Sequence, residues 1–143
     1  MRPRGEPGAA LLAAPGRRAA LTTLLGAAAL ALLGRRAAAE PLLVTLVMTE
    51  YRFTPKQLRL PVGVPCRLAL ENHGAELHEF TAPEFLAAIA LDTPEVLAPG
   101  GREVVVRPGQ RKELRFTAPH AGRYPMACAD HDWAGMVGEI IIG

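Results

Sequence analysis

Near its C-terminal end the chain reads Cys128-Ala129-Asp130-His131-Asp132-Trp133-Ala134-Gly135-Met136, and His78 stands fifty residues before the cysteine. These side chains supply one thiolate, two imidazoles and one thioether, the donor set of a mononuclear electron-transfer copper site. Cys128, His131 and Met136 follow the spacing C-x2-H-x4-M between one expected strand ending at Ala127 and another beginning at Val137. A tight loop between adjacent strands brings three such donors to a single point. Gly135 and Gly138 bracket the methionine and let the backbone turn closely. A trigonal plane of two nitrogens and a sulfur needs a second imidazole from elsewhere, and His78 qualifies if its segment opens at the same end of the domain. Each residue alone carries little weight. A lone Cys in a small β domain is commonly a buried filler or half a disulfide, a lone Met is core, and a lone His is a surface residue. The joint spacing is what points to a metal.

The elements that must position these groups are short β-rich runs with Gly and Pro punctuation, an all-β sandwich or barrel pattern. Expected strands are Leu43–Thr49, Gln57–Leu60, Arg67–Glu71, Glu103–Val106, Glu113–Phe116, Tyr124–Ala127 and Val137–Ile142. Arg67-Leu68-Ala69-Leu70-Glu71 and Lys112-Glu113-Leu114-Arg115-Phe116 alternate polar with apolar, as half-buried strands do. Turns are marked by Pro61-Val62-Gly63, Arg107-Pro108-Gly109 and His120-Ala121-Gly122. One stretch departs from the pattern. Thr81-Ala82-Pro83-Glu84 has the form of a capping box, so a short helical segment is expected near 82–90, with Phe85 and Ile89 turned to the sandwich. Residues 94–101 read as an irregular loop.

The front of the chain is different in kind. Residues 1–39 hold six arginines (Arg2, Arg4, Arg17, Arg18, Arg35, Arg36) against one acid, Glu6. The Arg17-Arg18 pair precedes a fifteen-residue apolar run, Ala19 to Leu33, and Ala37-Ala38-Ala39 offers a small-residue cleavage site. That run falls short of the ~20 residues that span a bilayer. An export signal over residues 1–39, cut after Ala39, and one periplasmic domain over 40–143 are expected. The arginine pair suits a twin-arginine signal, which exports folded protein; an ordinary secretory signal and an uncleaved anchor are the alternatives. Removing the leader's +5 from the chain's +2 leaves the mature domain at −3. The basic pI therefore belongs to the leader. The domain shows no basic stripe or run of stacking aromatics, which excludes nucleic-acid binding.

Tyr124-Pro125-Met126-Ala127-Cys128-Ala129-Asp130-His131 followed by Gly135-Met136-Val137-Gly138 resembles the C-terminal signature of plastocyanin-like cupredoxins, including amicyanin and pseudoazurin. Glu71-Asn72-His73-Gly74 through His78 is similar to their first-histidine region, and Phe53-Thr54-Pro55 with Val62-Gly63 fits their N-terminal strands. The resemblance covers most of residues 42–143. It implies a Greek-key β-sandwich with one type 1 copper ion held by His78, Cys128, His131 and axial Met136. It further implies an exposed His131 edge, set in an apolar loop, through which electrons pass to a transient redox partner such as a cytochrome or a copper or haem enzyme. A monomer with no membrane span in the mature chain is expected. Two positions depart from the family's pattern. The residue after the first histidine is often Asn and is here Glu79; pointing inward it would favour Cu(II) and lower the potential, and solvated it would do neither. Asp130 replaces a familiar Pro between the cysteine and the second histidine.

Four protein ligands leave no open position for substrate, so an enzyme is not expected. The chain has no His-x-His pair for a multicopper cluster, and no Ser/His/Asp set or glycine-rich phosphate loop stands out. The alternative reading is a periplasmic copper-binding or copper-tolerance protein that sequesters the ion with the same four ligands, although no Met- or His-rich tract supports storage. A disulfide-bonded β adhesion module without metal would need Cys66 near Cys128. Cys66 opens a strand running to about Asn72, which places it roughly 20 Å from the proposed site. It reads instead as a buried small hydrophobe, with a reactive or intermolecular thiol as the alternative. His73 and His120 are expected at the surface, and Met48 and Met126 in the core. Trp133 either flanks the copper on a docking face or only packs the loop.

Overall fold

A computed structural model describes residues 40–143; the signal and the cleavage after Ala39 expected from the sequence lie outside them. Among the described residues ten strands make two five-stranded sheets. One contains β1 (Leu42–Thr49), β2 (Arg52–Thr54), β4 (Pro65–Asn72), β6 (Ala90–Leu91) and β8 (Arg111–Thr117), in the order β2-β1-β4-β8-β6. The other contains β3 (Gln57–Leu60), β5 (His78–Thr81), β7 (Glu103–Val106), β9 (Gly122–Ala127) and β10 (Val137–Ile142), in the order β3-β10-β9-β5-β7.

Alternation along the strands explains the pairing. Leu68 of β4 lies opposite Leu114 of β8, and Cys66 opposite Phe116; all four are buried. Between them Arg67 turns outward and grips the Glu113 carboxylate through two 2.8 Å hydrogen bonds. A one-residue slip would exchange these faces, so the register is set by burial. β1 runs parallel to β4 with Leu46 beside Leu70, and β3 runs parallel to β10 with Leu58 beside Ile140. Parallel neighbours that are distant in sequence give the sandwich the long-range connections of a Greek key. Leu46, Leu68, Leu70, Leu114 and Phe116 of one sheet meet Leu58, Phe80, Val104, Val106 and Ile140 of the other in a single core. Met48 and Met126 are in it, as expected.

The helical segment is present as α1 (Pro83–Ala88), but the capping box is not. Ala82 is the N-cap and makes no side-chain cap, while Pro83 starts the helix. Thr81 still belongs to β5, and its hydroxyl donates to the Glu103 carboxylate at 3.0 Å across the β5–β7 pair. Strand pairing therefore took the side chain that the local motif assigned to the cap. Proline at the first helical position needs no N–H partner and supplies the start instead. Phe85 is fully buried, edge-on to Phe80, Phe116 and Tyr124 at ring separations of 6.3, 5.4 and 6.0 Å. Ile89 packs against the core from its edge. Residues 94–101 are the expected loop, with one 3-10 turn at Pro94–Val96.

Gly122 to Ala127 is two residues longer than expected, β5 was not among the expected strands, and neither were β2 and β6. The last two are three and two residues long, too short to show a period. The strand ends gather the candidate ligands at one place. β1, β4, β7 and β9 finish, and β5, β8 and β10 begin, at one pole of the sandwich. Cys66 lies at the other end of β4, beside Phe116.

Candidate metal centre

Four loops lie at that pole; residues 107–110, between β7 and β8, bond to the Asn72 backbone, and the other three carry the centre. The first, residues 73–77, joins β4 to β5 and delivers His78. Asn72 braces it. Its side-chain amide donates to the carbonyls of Glu76 and Val106, both at 2.8 Å, and its Oδ1 accepts the Gly74 N–H at 2.9 Å. This buried asparagine is fully engaged and ties the end of one sheet to the end of the other. The second loop, residues 128–136, carries Cys128, His131 and Met136. The Cys128 N–H donates to the Met136 carbonyl at 3.0 Å, and the His131 N–H to the Cys128 carbonyl at 3.2 Å. The Met136 N–H in turn reaches the His131 carbonyl at 3.2 Å. The three residues are thus locked to one another through the backbone. A 3-10 turn at Asp132–Ala134 ends on Gly135, whose φ of +84° is left-handed. Gly138 is needed for a different reason. A side chain there would strike the Lys56 carbonyl and Met126, so it serves strand packing and not the metal loop. The third loop, residues 50–51 between β1 and β2, brings Glu50 and Tyr51 over the two histidines.

The donor atoms converge. Ligand atoms of His78, Cys128 and His131 all lie within 4.8 Å of one another. The Nδ1 of His78 stands 3.9 Å from Cys128 Sγ, and that of His131 stands 3.3 Å from it. Donors held about 2.0–2.3 Å from one ion and spread in a plane are roughly 3.5–4 Å apart, so the spacing suits a shared cation. His78, Cys128 and Met136 are fully buried. Burial, then the neighbouring His131, depresses the basicity of His78, which keeps its imidazole in the neutral, metal-binding form. Burial and the hydrogen bond to Glu79 push the Cys128 thiol up to about 12; a cation between sulfur and nitrogens reverses that preference. A thiol, two imidazoles and a thioether at a buried pole fit a single type 1 copper ion.

Glu79 points inward. It is buried to 7 % residual exposure, and its Oε2 accepts the Cys128 thiol at 2.9 Å and the Asp130 N–H at 3.3 Å. The Glu79 N–H faces Cys128 Sγ at 3.4 Å. The carboxylate therefore ties the two ligand loops together, and of the two alternatives left by the sequence the solvated one is excluded. The disulfide alternative falls too, because Cys66 and Cys128 are both free. Cys66 is buried, and its sulfur faces the Val64 carbonyl at 3.3 Å. His73 and His120 are exposed, as expected.

The expected doorway differs. The His131 side chain is only 12 % exposed, because Glu76 reaches over it and takes its Nε2 at 2.9 Å. Tyr51 lies against the His131 ring at 4.8 Å, and its hydroxyl donates to the other Glu76 oxygen at 3.2 Å. Trp133 covers Tyr51 at 6.0 Å while remaining 77 % exposed. Its indole N–H donates to the Asp130 carbonyl at 2.8 Å. The rim is consequently acidic and aromatic, with Glu76, Asp130 and Asp132 all exposed near one tryptophan. Asn72, Glu50, Tyr51 and Glu76 are site residues that sequence reading missed. Asn72 and Glu76 lie within the stretch likened to the family's first-histidine region, but nothing in it assigned them a contact, and Glu50 and Tyr51 sit in a loop far from the ligands in sequence.

Comparison with known proteins agrees with this geometry. The sequence model of the cupredoxin-like domain matches residues 21–142. Among solved structures, auracyanin from Roseiflexus castenholzii superposes with a TM-score of 0.53 at 20 % identity, covering 71 % of this chain and 96 % of that one. Auracyanin A, a "blue" copper protein from Chloroflexus aurantiacus, gives 0.53 at 16 % identity over 73 % and 100 %. The periplasmic domain of cytochrome oxidase subunit II from Bradyrhizobium japonicum gives 0.52 at 15 % over 74 % and 87 %. At these identities the likeness is one of fold. No curated protein sequence matches the chain.

Proposed function

Because the chain belongs to the cupredoxin-like domain family, we propose that it is an exported, periplasmic type 1 copper protein. It carries single electrons between redox partners, with His78, Cys128, His131 and Met136 as ligands. The observation that carries this reading is the convergence of the His78, Cys128 and His131 donor atoms within 4.8 Å at a buried pole. Copper bound there supplies reversible one-electron exchange between Cu(I) and Cu(II). The chain's own work is to keep the donors still. Backbone bonds among Cys128, His131 and Met136, the Asn72 brace and the Glu79 tie hold both ligand loops in one arrangement. Little then rearranges when charge changes, and the buried pole excludes water. Four protein ligands leave no position for substrate, which favours a carrier over an enzyme.

The leader, with its apolar run and Ala37-Ala38-Ala39, supports export with cleavage after Ala39. Among the described residues no helix is long and apolar enough to cross a membrane. The mature domain works as a monomer that meets its partner briefly at the Trp133 face. Exposed Trp133 is the apolar anchor, and Glu76, Asp130 and Asp132 steer a redox protein with a positive surface. Such contacts are small and short-lived.

Cu(II) added to the mature protein should produce an intense blue thiolate-to-copper absorption that is lost in Cys128→Ala. A colourless product refutes the type 1 assignment. A redox titration then separates carrier from sequesterer: reversible, rapid cycling with the metal retained supports transfer, and slow or irreversible cycling supports sequestration.

A further inference from the structure

Both imidazoles turn Nδ1 toward Cys128 Sγ and turn Nε2 toward a carboxylate. His131 Nε2 has Glu76 Oε2 at 2.9 Å. His78 Nε2 is fully buried without a hydrogen-bond partner among the described residues, and Glu50 Oε1 stands 3.6 Å from it, just beyond bonding distance. The two carboxylates are also linked. Glu50 Oε1 accepts the N–H groups of Ala75 and Glu76, at 2.5 and 2.9 Å, and so fixes the loop that aims Glu76. Those bonds to Glu76 and its neighbours hold the Glu50 carboxyl below its usual range. A side chain at Gly74 would meet the Glu50 carboxylate and push it from this position. Tyr51 donates to the second oxygen of Glu76 and keeps it in place.

We propose that Glu50 and Glu76 are a paired carboxylate clamp on the distal nitrogens of His78 and His131, positioning residues that set the reduction potential of this centre. The inference rests on the copper reading above and adds the residues that tune it. A carboxylate on the far nitrogen of a ligand histidine fixes the tautomer, with the proton on Nε2 and the lone pair on Nδ1, and makes the ring a stronger donor. Stronger donation and nearby negative charge both favour Cu(II). The clamp therefore lowers the potential. Glu76 contributes through a carboxylate oxygen held 2.9 Å from His131 Nε2. Glu50 contributes through its charge facing His78 and through the loop it holds.

Glu76→Gln tests this with the copper-loaded protein, because an amide oxygen can take the place of Oε2 beside His131 Nε2 while the charge is gone. The expected result is a blue protein whose Cu(I) form gains about tenfold in equilibrium, a potential rise of about 59 mV for one electron. Glu76→Asp should restore most of the wild-type value. Long-range proton–nitrogen NMR of the metal-free protein should place the His131 proton on Nε2, and Glu50→Gln should raise the potential in the same direction. A blue Glu76→Gln protein with an unchanged or lower potential overturns the clamp and leaves the copper reading standing. A His131 proton on Nδ1 in the metal-free protein overturns it as well. A wild-type protein that never turns blue overturns the parent reading and the clamp with it.

Discussion

Replacing Glu79 by Gln is the most informative single change at the centre. The carboxylate is nearly dry, at 7 % exposure, and its Oε2 lies 2.9 Å from Cys128 Sγ. Gln has the same shape, so its oxygen can keep the Asp130 N–H and its amide can face the sulfur. The substitution then removes charge with little loss of geometry. A unit charge about 4 Å from the point where charge changes is worth about 4 kcal/mol at an effective dielectric of 20. At about 1.4 kcal/mol and 59 mV per tenfold, that is roughly 170 mV. Spreading the incoming electron over ion and ligands lowers the figure, so a rise of about 60–170 mV is expected. The assay is a spectroelectrochemical titration of the blue band, with the copper content of each variant measured. A blue Glu79→Gln protein whose potential stays within about 20 mV of wild type, well under the shift for a tenfold change, or falls, refutes the reasoning.

Phe85→Ala removes the ring that meets Phe80, Phe116 and Tyr124 edge-on and should cost about 3–5 kcal/mol in chemical denaturation; a loss under about 1 kcal/mol contradicts the role of α1 as a plug. Trp133→Ala should slow electron exchange with a cationic redox protein roughly tenfold, the effect of losing one anchoring aromatic. Its potential should stay unchanged, and an unaltered rate removes Trp133 from the docking face. The Cys128 thiol sits at about 12, raised from an ordinary 9.0, so the folded state favours the protonated thiol. That stabilisation is complete below about pH 9 and is lost as pH rises toward 12. Metal-free protein should therefore melt at progressively lower temperature through that window, and more steeply than Cys128→Ala. Parallel profiles contradict it.

Much of this molecule could be read in one dimension. Alternation in β4 and β8 showed which faces are buried, and burial sets register, so an all-β sandwich or barrel followed from pattern, and family likeness pointed to the sandwich. The spacing of Cys128, His131 and Met136 exposed the metal loop because three donors within nine residues are a local feature. His78 was harder, being tied to them only through family likeness and the expected strand order. What the folded chain alone decided was the surroundings of those donors. Thr81 left its helix cap for Glu103 because a cross-strand partner was available to it. Alternation along β5 places Phe80 in the core and Glu79 on the opposite face, and Glu79 is buried there because the cysteine loop lies over it and offers its carboxylate a thiol and an N–H. Glu50 and Glu76 reached the two imidazoles across loops some distance apart in sequence, where no period or motif relates acid to histidine. Ligand type is a property of residues and survives in sequence. Charge around a ligand depends on distances through space, and only packing sets those.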